Sequence, residues 1–105
     1  MKAPTLIIKV FRGDALERTE VFHQNVVRIG RSDKVDLRLD QERVSPQHVL
    51  IEVRDDECLH IVDLGTDDGT QLNGRPVTDA DMRWGDELAI GAFRLVIERP
   101  KASQR

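Results

Sequence analysis

Residues 63–77 read Asp63-Leu64-Gly65-Thr66-Asp67-Asp68-Gly69-Thr70-Gln71-Leu72-Asn73-Gly74-Arg75-Pro76-Val77, and the second half of this stretch decides the fold class. Asn73-Gly74 stands between two short segments, Gln71-Leu72 and Arg75 to Val77. A two-residue type I′ turn needs positive φ at both central positions, which glycine adopts freely and asparagine tolerates, so a tight β-hairpin is predicted here. The first half, rich in Asp, Gly and Thr, has the composition of a loop.

Short runs of Val, Ile and Leu, separated by Gly, Asp and Asn clusters, continue in both directions. His48 to Arg54 alternates Val49, Ile51 and Val53 with Leu50 and Glu52, Asp55-Asp56 supplies a turn, and Leu59 to Val62 returns from it. Nearer the N-terminus, Thr5 to Phe11, a turn at Gly13-Asp14, Thr19 to His23 and Val26 to Ile29 read as strands of a sheet edge. Leu37 and Leu39 bracket another short strand. Toward the C-terminus, Glu87 to Ile90, Gly91-Ala92 and Phe93 to Glu98 read as a last hairpin. No window carries a helical period, and about ten short strands at close spacing predict an all-β, two-sheet sandwich with its loops gathered at the ends.

A chain of 105 residues is one domain's worth, expected to bury about two-thirds of the surface its unfolded form would expose. Residues 1–99 are read as that domain and 100–105 as a polar tail that begins a linker to further domains. The formal charge of −3 offers no sequence-wide attraction for nucleic acid or an anionic membrane. The single cysteine, Cys58, excludes an intramolecular disulfide, and the apolar run Leu6-Ile7-Ile8 is cut by Lys9 before it resembles a signal peptide or membrane span, so a cytoplasmic, monomeric domain is expected.

Three islands remain between the strands: Gly30-Arg31; Ser45-Pro46-Gln47-His48; and Asp63 to Thr70, leading into Leu72-Asn73-Gly74. In order and spacing they resemble the forkhead-associated (FHA) domain family. Trp84-Gly85-Asp86-Glu87-Leu88 and Ile90-Gly91 extend the resemblance over roughly Val27 to Ile97. It implies an FHA-like sandwich of about eleven short strands whose end loops recognise phosphothreonine in partner proteins. Arg31 and Ser45 would then supply charge-assisted donors to a phosphate, with Pro46, Thr66, Asp67, Asp68 and Asn73 completing the partner surface. Gly30 and Gly69 are expected to hold backbone angles that a Cβ opposes, His48 to tie neighbouring loops, and Thr70 to bond within its own loop.

The sequence leaves the family pattern at three positions. Pro46 stands where the family commonly has Arg, Lys or Asn, and it has neither an N–H nor a polar side chain. Asp67 and Asp68 replace a hydroxyl residue and an asparagine, so acceptor-only carboxylates stand where donors would be. At ~5 Å from a phosphate each costs roughly 1 kcal/mol at the dielectric of water and about 3 at an effective value of 20, enough to cancel one charged hydrogen bond from Arg31 of about 1.5–3 kcal/mol. The balance favours a protein partner read without phosphate. Two alternatives stand beside it: conventional phosphothreonine capture through Arg31 and Ser45, and a structural spacer or docking domain of a larger complex. A further expectation is that Asp67 or Asp68 pairs internally with Arg31, occupying the phosphate's place.

Catalysis is not expected. Ser45, His48 and Asp63 name the members of a nucleophilic triad, but no nucleophile elbow or oxyanion donor accompanies them. His23, His48 and His60 lack any ligand spacing, so neither a metal nor another cofactor is expected.

Overall fold

Alternation of apolar and polar residues at period two is what the inner faces of both sheets are made from. The computed structural model describes residues 3–55 and 58–100. The polar tail after Pro100, and Asp56 of the turn expected before Cys58, lie outside the described residues. Eleven strands follow in order: β1 (Thr5–Arg12), β2 (Ala15–His23), β3 (Val26–Gly30), β4 (Leu37–Arg38), β5 (Val49–Val53), β6 (Leu59–Asp63), β7 (Thr70–Leu72), β8 (Arg75–Val77), β9 (Asp79–Met82), β10 (Glu87–Ile90) and β11 (Phe93–Glu98).

The strands form a six-stranded sheet ordered β2-β1-β11-β10-β7-β8 and a five-stranded sheet ordered β4-β3-β5-β6-β9. The β3–β4 pair is parallel. Between the sheets lie Leu6, Ile8 and Val10 of β1, Leu95 and Ile97 of β11, Val27 and Ile29 of β3, Ile51 of β5 and Ile61 of β6, all effectively inaccessible to solvent. Each such side chain contributes about 1.5–3 kcal/mol relative to its exposed state. This is the all-β sandwich that the hairpin at Asn73-Gly74 indicated, and there φ is +50° at Asn73 and +86° at Gly74, with Leu72 paired to Arg75 across the turn.

Two elements differ from the sequence reading. β2 begins at Ala15 rather than Thr19, because the Gly13-Asp14 turn lets Ala15 and Leu16 pair with Arg12 and Phe11 on the sheet edge. Backbone hydrogen bonds hold that end, while its side chains stay exposed and leave no apolar pattern. β9 was not predicted, since Asp and Ala are poor strand formers. It pairs with β6, where Ala80 and Met82 pack against the core and Asp79 and Asp81 face outward.

Those two carboxylates clamp His60 of β6. Its Nδ1 lies 2.7 Å from Asp81 Oδ1, and its Nε2 contacts Asp79. The hydrogen bond that His60 donates to Asp81 raises the imidazole above its ordinary range, burial opposes it, and Asp79 adds to the rise. A raised folded-state value means that the clamp stabilises fully below the unfolded value of 6.5 and fades as pH rises through the folded value. Titration of the His60 ring protons by NMR should therefore give a midpoint above 6.5 that falls when Asp79→Asn and Asp81→Asn are combined. A midpoint unmoved by the double substitution would contradict the clamp.

Candidate functional site

The register Ile29↔Val49↔Asp63 brings the end of β3, the start of β5 and the end of β6 together at one end of the sandwich. The segments leaving those strands then pair with each other. Arg31 N donates to Ser45 O at 2.9 Å, Ser32 N to Pro46 O at 3.1 Å, and His48 N to Ile29 O at 2.9 Å. Arg31 and Ser45, fourteen positions apart in sequence, are thereby fixed side by side.

This close approach explains Gly30. Its φ is not positive, so the backbone angle expected to exclude a side chain is not the reason. A Cβ there would stand 2.2 Å from Pro46 O and 2.8 Å from Pro46 C, inside atoms that belong to backbone. Gly69 is the contrasting case: nothing lies near its missing Cβ, and its φ of +77° is what disfavours other residues.

The second wall is the loop between β6 and β7, wound around the Asp63 carboxylate. Asp63 accepts from Gly65 N at 2.8 Å, Thr66 N at 2.9 Å, the Thr66 hydroxyl at 2.8 Å and the Thr70 hydroxyl at 2.7 Å. Its side chain is only 5% exposed. Burial alone would raise this carboxyl, but the hydrogen bonds from Thr66, Thr70 and Gly65 outweigh it and hold the group below the usual carboxylate range.

His48, fully buried, joins the two walls. Its Nδ1 accepts from Ser45 N at 3.0 Å, so the ring proton sits on Nε2, which donates to Gly69 O at 2.8 Å. Leu64 N donates to His48 O at 2.9 Å, adding a backbone tie. The side chains of Thr66 and Thr70 are therefore turned into this network. Thr66, expected at the partner surface, has its hydroxyl bonded to Asp63 and accepts from Gly69 N.

Ser45, Asp67 and Asp68 do share one depression of about 460 Å³, together with Glu42 and Arg43. Neither Glu42 nor Arg43 was singled out in the sequence, because nothing in their local pattern marks them. They are held in place by Gln41, whose Oε1 accepts from Ala92 N at 2.9 Å and whose carbonyl accepts from Val44 N at 3.0 Å. Pro46 is exposed at the rim, with its carbonyl engaged by Ser32. Asn73 is elsewhere. Its Oδ1 accepts from Glu87 N at 3.0 Å, and it lines a different cleft with Arg75 and Arg83.

The expected internal pair between Arg31 and the acidic loop is not formed. Arg31 Nε donates to Val44 O at 3.0 Å, and among the described residues its guanidinium makes no ion pair with Asp67, Asp68 or another carboxylate. The loop backbone binds the guanidinium on one side, and Asp67 and Asp68 remain exposed.

The sequence profile of the FHA domain family matches residues 27–91. The chain belongs to the FHA domain family. FHA domains are non-catalytic protein-interaction modules that recognise phosphothreonine. Over 90 residues this FHA domain is 34% identical to the glycogen accumulation regulator GarA of Mycobacterium tuberculosis, covering 86% of this chain and 55% of that protein. Over 96 residues it is 32% identical to the oxoglutarate dehydrogenase inhibitor of Corynebacterium glutamicum, covering 91% of this chain and 66% of that one. The chain thus spans between half and two-thirds of the length of these relatives. The FhaA FHA domain, solved in complex with the intracellular domain of Rv3910, superposes with a TM-score of 0.75 at 25% identity, covering 89% of this chain and 99% of that one.

Proposed function

We propose that this FHA domain binds a protein partner at the loop end through Ser45, Asp67, Asp68 and the neighbouring Arg31, and that the contact does not require phosphate. The observation that carries this reading is the charge around Ser45: Glu42, Asp67 and Asp68 share its depression with Arg43, and Arg31 stands alongside. Three carboxylates against two guanidinium groups, one of them already donating to the Val44 carbonyl, suit a cationic or unmodified segment better than a dianion. Pro46 removes a further donor at the rim. The names of the relatives, a regulator and an inhibitor, support a regulatory contact rather than catalysis. The domain then acts as a monomeric module in the cytoplasm.

A second reading is favoured by one finding. Arg31 holds no internal carboxylate, so it and Ser45 remain available for conventional phosphothreonine capture. A third, docking against a neighbouring domain, is favoured by Leu16 and Val21 on β2, each 52% exposed.

Calorimetric titration with a degenerate phosphothreonine peptide library and its unphosphorylated counterpart separates the first two. Binding that is equal or stronger without phosphate is the expected result, and micromolar binding that vanishes without phosphate would establish the second reading. Combining Pro46→Arg, Asp67→Ser and Asp68→Asn should raise phosphopeptide affinity by about tenfold or more, since it removes two negative charges, adds a positive one and places a donor at each of the three positions. A folded triple variant with no gain would mean that these three positions do not suppress phosphate binding.

A further inference from the structure

A second depression lies away from the loop end. It is a cleft of about 630 Å³ toward the opposite end of the sandwich, between the β7–β8 turn and β9. These strands place it where two sheet edges meet, because β8 ends the six-stranded sheet and β9 ends the five-stranded one. Its floor carries Leu72, Cys58 and the buried Met82, and its rim carries Arg75 and Arg83.

The charges of the cleft are unequally committed. Asp81 is bonded to His60 Nδ1 at 2.7 Å, and Asp86 accepts from Arg83 N at 2.9 Å. Arg75 and Arg83 are both exposed, and among the described residues neither guanidinium forms an ion pair. Most other arginines among the described residues are paired or bonded, as Arg12 is with Glu17, Arg94 with Glu87 and Arg38 with Asp40. An apolar floor flanked by two unpaired guanidinium groups complements an extended segment that alternates carboxylates with apolar side chains.

We propose that this cleft is a second docking site, which takes an acidic, apolar peptide segment of a protein partner with its carboxylates on Arg75 and Arg83 and an apolar side chain over Leu72. The site is separate from the loop end and does not depend on how Arg31 and Ser45 are used. A nucleic acid would also meet two arginines, but the chain's net charge of −3 opposes a polyanion of that density.

The test uses the isotopically labelled full chain and two degenerate ten-residue libraries, one alternating Glu with Leu, Phe or Met, the other with Lys in place of Glu. The acidic library should move the backbone amides of Leu72, Arg75, Met82 and Arg83 and leave those of Ser45, Asp67 and Asp68 in place, and the lysine library should move none of the four cleft amides. Combining Arg75→Glu with Arg83→Glu should weaken the acidic library by about tenfold, and Arg75→Gln with Arg83→Gln by about threefold. Both arginines are exposed, and an unchanged melting midpoint checks that each variant is folded. Absence of shifts at the cleft, indifference to both double variants, or equal shifts of the cleft amides by the lysine library or by a single-stranded DNA would overturn the proposal. So would a dimer that Arg75→Glu with Arg83→Glu dissociates, since a second copy would then be the occupant.

Discussion

Replacing Asp63 with alanine is expected to lower stability by about 3–5 kcal/mol, the range for breaking a buried, charge-assisted network. Asp63 gathers two backbone N–H groups and two hydroxyls at 2.7–2.9 Å. No buried side-chain polar atom among the described residues lacks a partner, so the loss of Asp63 would leave donors unpaired in a network that is otherwise fully satisfied. Thr70, 2% exposed, would keep a buried hydroxyl without its acceptor, and Gly65 N and Thr66 N would lose theirs. Chemical denaturation gives the magnitude. A loss under about 1 kcal/mol, with loop amide shifts unchanged, would show that the carboxylate does not organise the loop.

The same residue has a pH signature. Its folded value is depressed, so its contribution is complete above the unfolded value of 3.8 and is lost as pH falls through the folded value. Asp63→Asn should therefore be less stable than the parent at neutral pH, and the gap should narrow below pH 3.8. A gap that stays constant down to pH 2 would contradict the assignment.

Gly30→Ala is expected to cost about 2–4 kcal/mol, combining overpacking with the hydrogen bonds it displaces. The added methyl would stand 2.2 Å from Pro46 O, and no flexible side chain is involved whose rotation could relieve the clash. The segment from Ser45 to His48 would have to move away, taking with it the bonds from Arg31 N, Ser32 N and His48 N. The substitution should also separate Arg31 from Ser45, and so weaken any ligand that uses both. Denaturation together with amide shifts of residues 31 and 45 reads both effects. A stable variant with unmoved shifts would show that the two loops do not need their present contact.

The difference between Gly30 and Gly69 indicates what kind of information a sequence holds. Both were read as backbone-angle glycines, which is sound for Gly69, where φ is +77°. For Gly30 the demand comes from a chain segment sixteen positions away. β9 was missed for a related reason. Its alternation, Asp79-Ala80-Asp81-Met82, is visible in retrospect, but its acidic residues become reasonable only beside His60 across the strand pair. Arg31 was expected to meet Asp67 or Asp68, whereas the fold presents it with the Val44 carbonyl.

What the sequence determined by itself is what a few consecutive residues decide: the Asn73-Gly74 turn, the alternating strands, and the ordered islands around Gly30-Arg31, Ser45 and Asp63 to Thr70 that mark an FHA domain. Backbone angle and period two are local properties, so they survive without knowledge of neighbours. The tertiary structure alone decided which distant segments meet: Gly30 against Pro46, His48 between Ser45 and Gly69, Arg43 and Asp68 on one depression, and Arg75 and Arg83 on one cleft. Those contacts join segments brought together by sheet register, and hydrogen bonds and Coulomb forces act over a few ångströms whatever the separation along the chain.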